Sequence, residues 1–188
     1  MTQPIRVAQY GLIAAGILAL GYCAMVYFNG WLFQVRENRR FEQKLVEHPA
    51  VPRASPEPGA VLGRLEIPHL GVSVMVVEGM NDGDLKRAAG PVPGTALPGQ
   101  VGNIGIAAHR DTFFRPLRRI QRSDLLILST AQGHYLYRVV SAIVVSPEVV
   151  QVLYPSANDS LTLVTCFPFD YIGPAPKRFI VQAGRVRD

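Results

Sequence analysis

The chain of 188 residues has room for one domain of ordinary size plus an appendage. Charged residues make up 18%, against a usual ~25%, and hydrophobic residues 48%, which excludes a disordered or coiled-coil protein. The net charge of +5 rests on sixteen Arg against three Lys, and the two cysteines are too few for a disulfide framework or a four-thiolate zinc site.

No charged residue occurs from Val7 to Val35, and the centre of that run, Gly11 to Phe28, is nearly all apolar. About 20 apolar residues cross a bilayer as a helix. Tyr22, Tyr27, Phe28 and Trp31 thicken toward its C-terminal end, as an interfacial aromatic belt does. A cleaved signal peptide has an apolar core of roughly 7–15 residues and a small-residue exit. This core is longer and runs into aromatic residues, so residues 1–36 read as an uncleaved membrane anchor with Cys23 as a small mid-span packing residue. Positive-inside counting sets Arg6 against Arg36, Arg39, Arg40 and Lys44, which taken literally leaves the following domain in the cytoplasm. That rule is weak where a long domain follows the span.

Residues 37–60 read as a juxtamembrane segment: a charged helical continuation to Glu47, then a stiff linker holding Pro49, Pro52, Pro56 and Pro58. A folded domain, 61–188, follows. Strands are predicted at Leu62–Ile67, Val72–Val77, Val101–Ala108, Leu125–Thr130, Tyr135–Val145, Leu161–Thr165 and Phe179–Ala183, with a hairpin connection at Ala131–His134. Short helices are predicted at Asp82–Ala89, Phe114–Ile120 and Pro147–Val152. Many short strands with little helical periodicity favour a mostly all-β fold, a closed or nearly closed barrel. No internal repeat is present.

Three residues sit where strands end. Cys166 follows the alternating run Leu161–Thr165 and precedes Pro168, which cannot continue a ladder. His109 ends another strand, and Arg178 opens the last one. A thiolate can attack a carbonyl, an imidazole can move the proton to a leaving amine, and a guanidinium can hold the developing oxyanion. Each also has a plainer reading: buried packing for Cys166, a surface hydrogen bond for His109, a solvated base for Arg178. Spacing alone does not decide between them. His48, His69 and His134 read as surface or hydrogen-bonded residues.

The segment Leu161–Ala183 resembles the active-site signature of the sortases, membrane-bound cysteine transpeptidases. The pattern T-L-x-T-C, then a loop, then R-F-[IV]-V, matches at Thr162, Leu163, Thr165, Cys166, Arg178, Phe179, Ile180 and Val181. Gly102–Leu117 is similar to the family's histidine segment, Leu65–Gly79 to its opening strands and Gly94–Gly99 to the loop before the histidine. The resemblance runs from about Leu62 to Ala183, is nearest the class D type, and departs at Ala108, where the family often has Gly.

The resemblance implies a sortase-type barrel of about eight strands after an N-terminal transmembrane helix. It makes Cys166 the nucleophile, His109 the acid/base and Arg178 the oxyanion or carbonyl partner, with Thr165, Ala108 and Phe167 at the substrate. Val145–Ser160 and Phe167–Lys177 would frame a peptide groove. The implied partners are secreted proteins bearing a Leu-Pro-x-Thr-like sorting motif and an amine acceptor in the envelope, met on the extracytoplasmic side of the membrane. A peptidase using water, or a barrel that binds envelope components without chemistry, are the alternatives. Asp111 or Thr112 is expected to cap the helix that follows. Arg110, Arg115, Arg118, Arg119 and Arg122 read as a solvated face; with no aromatic interleaving or recognition helix, no nucleic-acid partner is expected. No metal or cofactor is expected. Calcium, which assists some sortases, has only Glu78, Asp82 and Asp84 in one loop and no EF-hand pattern.

Overall fold

The computed structural model describes residues 3–47 and 57–186. His48 and the linker residues Pro49, Pro52 and Pro56 lie outside them. One continuous helix, α1 (Gln3–Glu47), carries both the apolar run and its charged continuation. Its stretch Arg6–Gln43 is long and apolar enough to cross a membrane, and the most apolar part packs against nothing in the protein. At 1.5 Å per residue, its 45 residues extend about 68 Å, roughly twice a hydrocarbon core.

Eight strands follow: β1 (Val61–Ile67), β2 (Val72–Val77), β3 (Gly90–Pro91), β4 (Asn103–Ala107), β5 (Leu125–Thr130), β6 (Gly133–Val145), β7 (Ser160–Phe167) and β8 (Lys177–Arg185). They form one sheet in the order β2-β1-β5-β6-β8-β7-β4-β3. All neighbours are antiparallel except β4 and β7, which run parallel. A parallel bridge between Val76 and Ala89 joins the two ends of the sheet, so the barrel is nearly closed. Alternate residues fill its interior: Leu65 and Ile67, Ile104 and Ile106, Leu126 and Leu128, Leu161 and Leu163 are fully buried.

The predicted strands all form, two with the predicted ends and the others with ends shifted by at most two residues. The two-residue β3 is the element the pattern missed, being too short to carry a period. The predicted helices contract. Asp82–Ala89 becomes α2 (Asp82–Leu85), capped by the Asn81 side chain, which accepts from the Asp84 N–H at 3.0 Å. Phe114–Ile120 and Pro147–Val152 become 3₁₀ turns at Arg115–Arg119 and Gln151–Leu153. Segments this short gain too few hydrogen bonds to offset helix nucleation. The expected capping by Asp111 or Thr112 does not occur: the turn opens at Phe114 with no side-chain cap.

The charged end of α1 is not free in solution, because one face of it lies on β1 and β2. Gly30 and Phe41 are buried there, and Phe33, Gln34, Asn38 and Glu42 fall on the same face by helical spacing. The Gln34 amide accepts from the Met75 backbone N–H at 2.8 Å and donates to the Arg87 carbonyl at 2.6 Å. Arg64, pointing out of β1, donates to Asn38 at 2.6 Å and to Glu42 at 2.9 Å. The Arg87 guanidinium sits 5.0 Å over the Phe33 ring. Met75 points away from the barrel interior yet is only 1% exposed. Phe41→Ala is therefore expected to lower the stability of the full chain by about 3 kcal/mol, as for a core aromatic. Thermal unfolding in detergent checks this; an unchanged midpoint would mean that the helix end contributes nothing to the barrel.

Tyr137 of β6 is 1% exposed, and burial pushes its phenol from 10.0 up to about 12. The raised value means that this contribution to stability is complete below the unfolded value of about 10 and is lost as pH climbs through 12. Two pH units correspond to about 2–3 kcal/mol. Urea unfolding at pH 9 and pH 12 is expected to show this loss in the native protein and a smaller one in Tyr137→Phe.

Candidate active site

The site is built where β4, β7 and β8 lie side by side. In the β7–β8 pair Cys166 stands directly opposite Arg178, which puts the two side chains on one face with Cβ atoms about 5 Å apart. In the parallel β4–β7 pair Ala107 stands beside Val164, and the Ala108 N–H continues the ladder to the Val164 carbonyl at 3.3 Å. His109 lies two residues past that pair, beyond the end of β4. Parity fixes the face of the strand residues: Leu161, Leu163 and Val181 fill the barrel interior, so Cys166 and Arg178 face outward. His109, Cys166 and Arg178 are half-buried, as at the floor of a groove. Both cysteines are free thiols, Cys23 exposed on α1 and Cys166 half-buried at the end of β7.

The neighbouring residues explain how these positions are held. The Thr165 hydroxyl donates to the Ala108 carbonyl at 2.8 Å, tying β7 to β4 one residue before Cys166 and His109. Thr165 and Ala108 are buried and face the interior. The resemblance puts Thr165 at the substrate; in the structure its hydroxyl holds two chain segments in register. Alternation along a strand makes that arrangement unavoidable, since Thr165 and Cys166 are adjacent. Phe167 also turns inward and packs with Phe169 and Phe179 at centroid distances of 5.9 and 6.3 Å, while Phe169 and Phe179 meet edge to face at 5.3 Å. The three rings brace the strand ends that carry Cys166 and Arg178. The Arg178 guanidinium donates to the carbonyls of Ala175 and Lys177 at 3.2 and 3.0 Å.

Two neighbouring segments wall the outer face of β4. A Cβ at Gly105 would meet Thr95 at 2.9 Å, Val92 at 3.0 Å and Leu153 at 3.1 Å, so glycine here lets both segments close over the strand. Buried Asn103 ties the second wall down: its amide donates to the Val152 and Tyr154 carbonyls at 3.0 and 3.2 Å and its oxygen accepts from Thr162 at 2.8 Å. Sequence reasoning passed over Asn103; an asparagine opening an apolar strand, NIGIA, is the signal it carried.

The Asp111 carboxylate is exposed and lies 3.5 Å from the Arg110 Nε. Arg110 itself leaves the expected solvated face and is buried, whereas Arg115, Arg118, Arg119 and Arg122 are exposed. His69 is bonded to Asp124 at 2.9 Å and His134 to Ser129 at 2.8 Å, as read from the sequence. Asp84 is engaged with Asn81 and Arg87 at 2.6 and 2.8 Å. No group of three His, Cys, Asp or Glu residues among the described residues is arranged to hold a metal ion.

The family model "Sortase domain" matches residues 65–186, the whole barrel apart from its first few residues. The chain belongs to the sortase family. It is 31% identical to Sortase D of Bacillus subtilis (strain 168), an alignment that covers 96% of this chain and 98% of that protein. It is also similar to the Clostridium perfringens Sortase D5 transpeptidase, with a TM-score of 0.70 and 25% identity, covering 79% of this chain and 95% of the other. Clostridium perfringens sortase C, solved with its C-terminal cell wall sorting motif, superposes with a TM-score of 0.64 and 25% identity over 81% of this chain and 87% of its own. Cys166 and Arg178 of the sequence signature are thus cross-strand neighbours in this sortase barrel.

Proposed function

We propose that this sortase cleaves a Leu-Pro-x-Thr-like sorting motif in secreted proteins and transfers the acyl part to an amine. The observation that carries the reading is the Cys166–Arg178 pair across β7 and β8, with His109 just past the end of neighbouring β4. The Cys166 thiolate attacks the scissile carbonyl carbon while Arg178 donates hydrogen bonds to the oxygen that becomes negative. The C–N bond breaks as His109 gives its proton to the leaving amine, leaving a thioester on Cys166. An incoming amine then attacks the thioester, loses its proton to His109 and releases the thiolate, so both groups return to their starting states. The walls over β4 restrict water around the thioester, which favours an amine over hydrolysis.

Secreted substrates require the barrel on the extracytoplasmic side, with α1 crossing the membrane. This outweighs the arginine count around the helix, because long domains translocate largely regardless of charge. The docked segment Gly30–Glu42 then holds the barrel close to the membrane surface, next to substrates that are still emerging. The test uses full chain in detergent with a panel of Leu-Pro-x-Thr-type peptides, with and without a small amine. Peptide–amine ligation product rising with amine concentration supports transpeptidation. Hydrolysed peptide alone at every amine concentration would make the protein a peptidase.

A further inference from the structure

Arg110 is an arginine only 6% exposed, one residue beyond His109, and among the described residues the carboxylate it pairs with is that of exposed Asp111. What faces it is backbone. Its Nη1 donates to the Pro168 carbonyl at 3.0 Å, and its Nη2 to the Tyr171 and Gly173 carbonyls at 2.7 and 2.9 Å. The guanidinium carbon also lies 5.9 Å from the centre of the Tyr171 ring. These three carbonyls belong to residues 168–176, the loop from the Cys166 strand to the Arg178 strand. Among the described residues that loop holds one turn, at Phe169 and Asp170, and no strand or helix. Its apolar tip is open to solvent, with Ile172 96% exposed.

We infer that Arg110 is a positioning residue that sets the shape of the 168–176 loop and thereby the acyl-donor wall of the groove. This rests on the transpeptidase reading for the identity of the peptide, while the loop geometry stands independently of it. One planar fork reaches three carbonyls at fixed angles, which ties the loop to the segment carrying His109. The loop is thus pre-shaped before peptide arrives, and the peptide does not bear the entropy of ordering it. Lysine, with a single ammonium, cannot span three carbonyls of this spread.

The experiment compares full-length native protein, Arg110→Lys and Arg110→Met in detergent, using three readouts. Amide exchange is followed across residues 168–176, Cys166 is alkylated with iodoacetamide, and peptide cleavage gives KM and kcat separately. Exchange in the loop is expected to rise at least about tenfold in both variants, with the barrel strands unchanged. Alkylation of Cys166 is expected to stay within about twofold, because the thiol's own contacts are untouched. The apparent KM is expected to rise about tenfold or more, with kcat changed much less. Unchanged loop exchange in a folded Arg110→Lys protein would overturn the inference. So would alkylation, kcat and thermal stability all falling together, since that marks a merely structural role. If Arg110→Met does not fold, Arg110→Lys carries the test alone. If native protein cleaves no peptide, the transpeptidase reading fails while exchange and alkylation still judge Arg110.

Discussion

Cys166→Ala is expected to reduce peptide cleavage by about 10⁴-fold or more, to the level of uncatalysed background, with the fold intact. Cys166 lies half-buried at the end of β7, outside the packed interior. Removing its sulfur therefore changes stability by no more than about 0.5 kcal/mol, as at other rim positions. Cleavage assays on the native protein and the variant, beside matched thermal melts, check both halves. A variant that keeps a tenth of the native rate would remove Cys166 from the chemistry. It would return the protein to the alternative of a membrane-tethered binding barrel.

Arg178→Ala is the second large effect, an expected loss of about 10²–10³ in kcat, the usual scale for one oxyanion donor. Arg178 faces Cys166 directly across the β7–β8 pair, so no other cation stands opposite the thiol in that pair. Its present hydrogen bonds go to Ala175 and Lys177, close by in its own loop. The guanidinium is thus held near the groove without being buried, and its removal leaves the barrel core untouched. Arg178→Lys is expected to recover only part of the loss, because a point charge cannot match the two-pronged geometry. The variants are compared by kcat at saturating peptide. A loss below about tenfold in Arg178→Ala, short of what one oxyanion donor contributes, would assign the oxyanion to another donor.

Much of this architecture can be read from the chain because the barrel strands alternate cleanly. Leu161, Leu163 and Thr165 on one parity and Cys166 on the other already state which face the thiol occupies. Pro168 marks where the strand must stop. The same parity implied that Thr165 looks inward, a consequence that the family signature obscured by listing Thr165 and Cys166 as neighbours. What spacing could not supply is adjacency across strands. That Cys166 meets Arg178, and that the strand before His109 runs beside β7, depend on an antiparallel β7–β8 pair and a parallel β4–β7 pair, and strand order is a long-range property.

Arg110 was misread for a related reason. Among four other arginines within thirteen positions it looks like part of a basic surface, and only the neighbouring loop's carbonyls reveal its burial. The docking of α1 was hidden likewise. Its charged face reads as solvated until Arg64 and the Met75 N–H are seen to meet Asn38, Glu42 and Gln34. Both cases share one physical cause: polar side chains whose partners lie in distant elements leave no hydrophobic period.

The central claim is that Cys166 carries the acyl group between donor and acceptor. Intact-mass measurement of the full chain, incubated with a Leu-Pro-x-Thr-type peptide and then with a small amine, tests it directly. The account predicts a thioester adduct localised to Cys166, with the mass of the N-terminal peptide fragment, that disappears as the amine conjugate forms. Cleavage proceeding with no adduct on Cys166, or with an adduct that amine does not discharge, would contradict it.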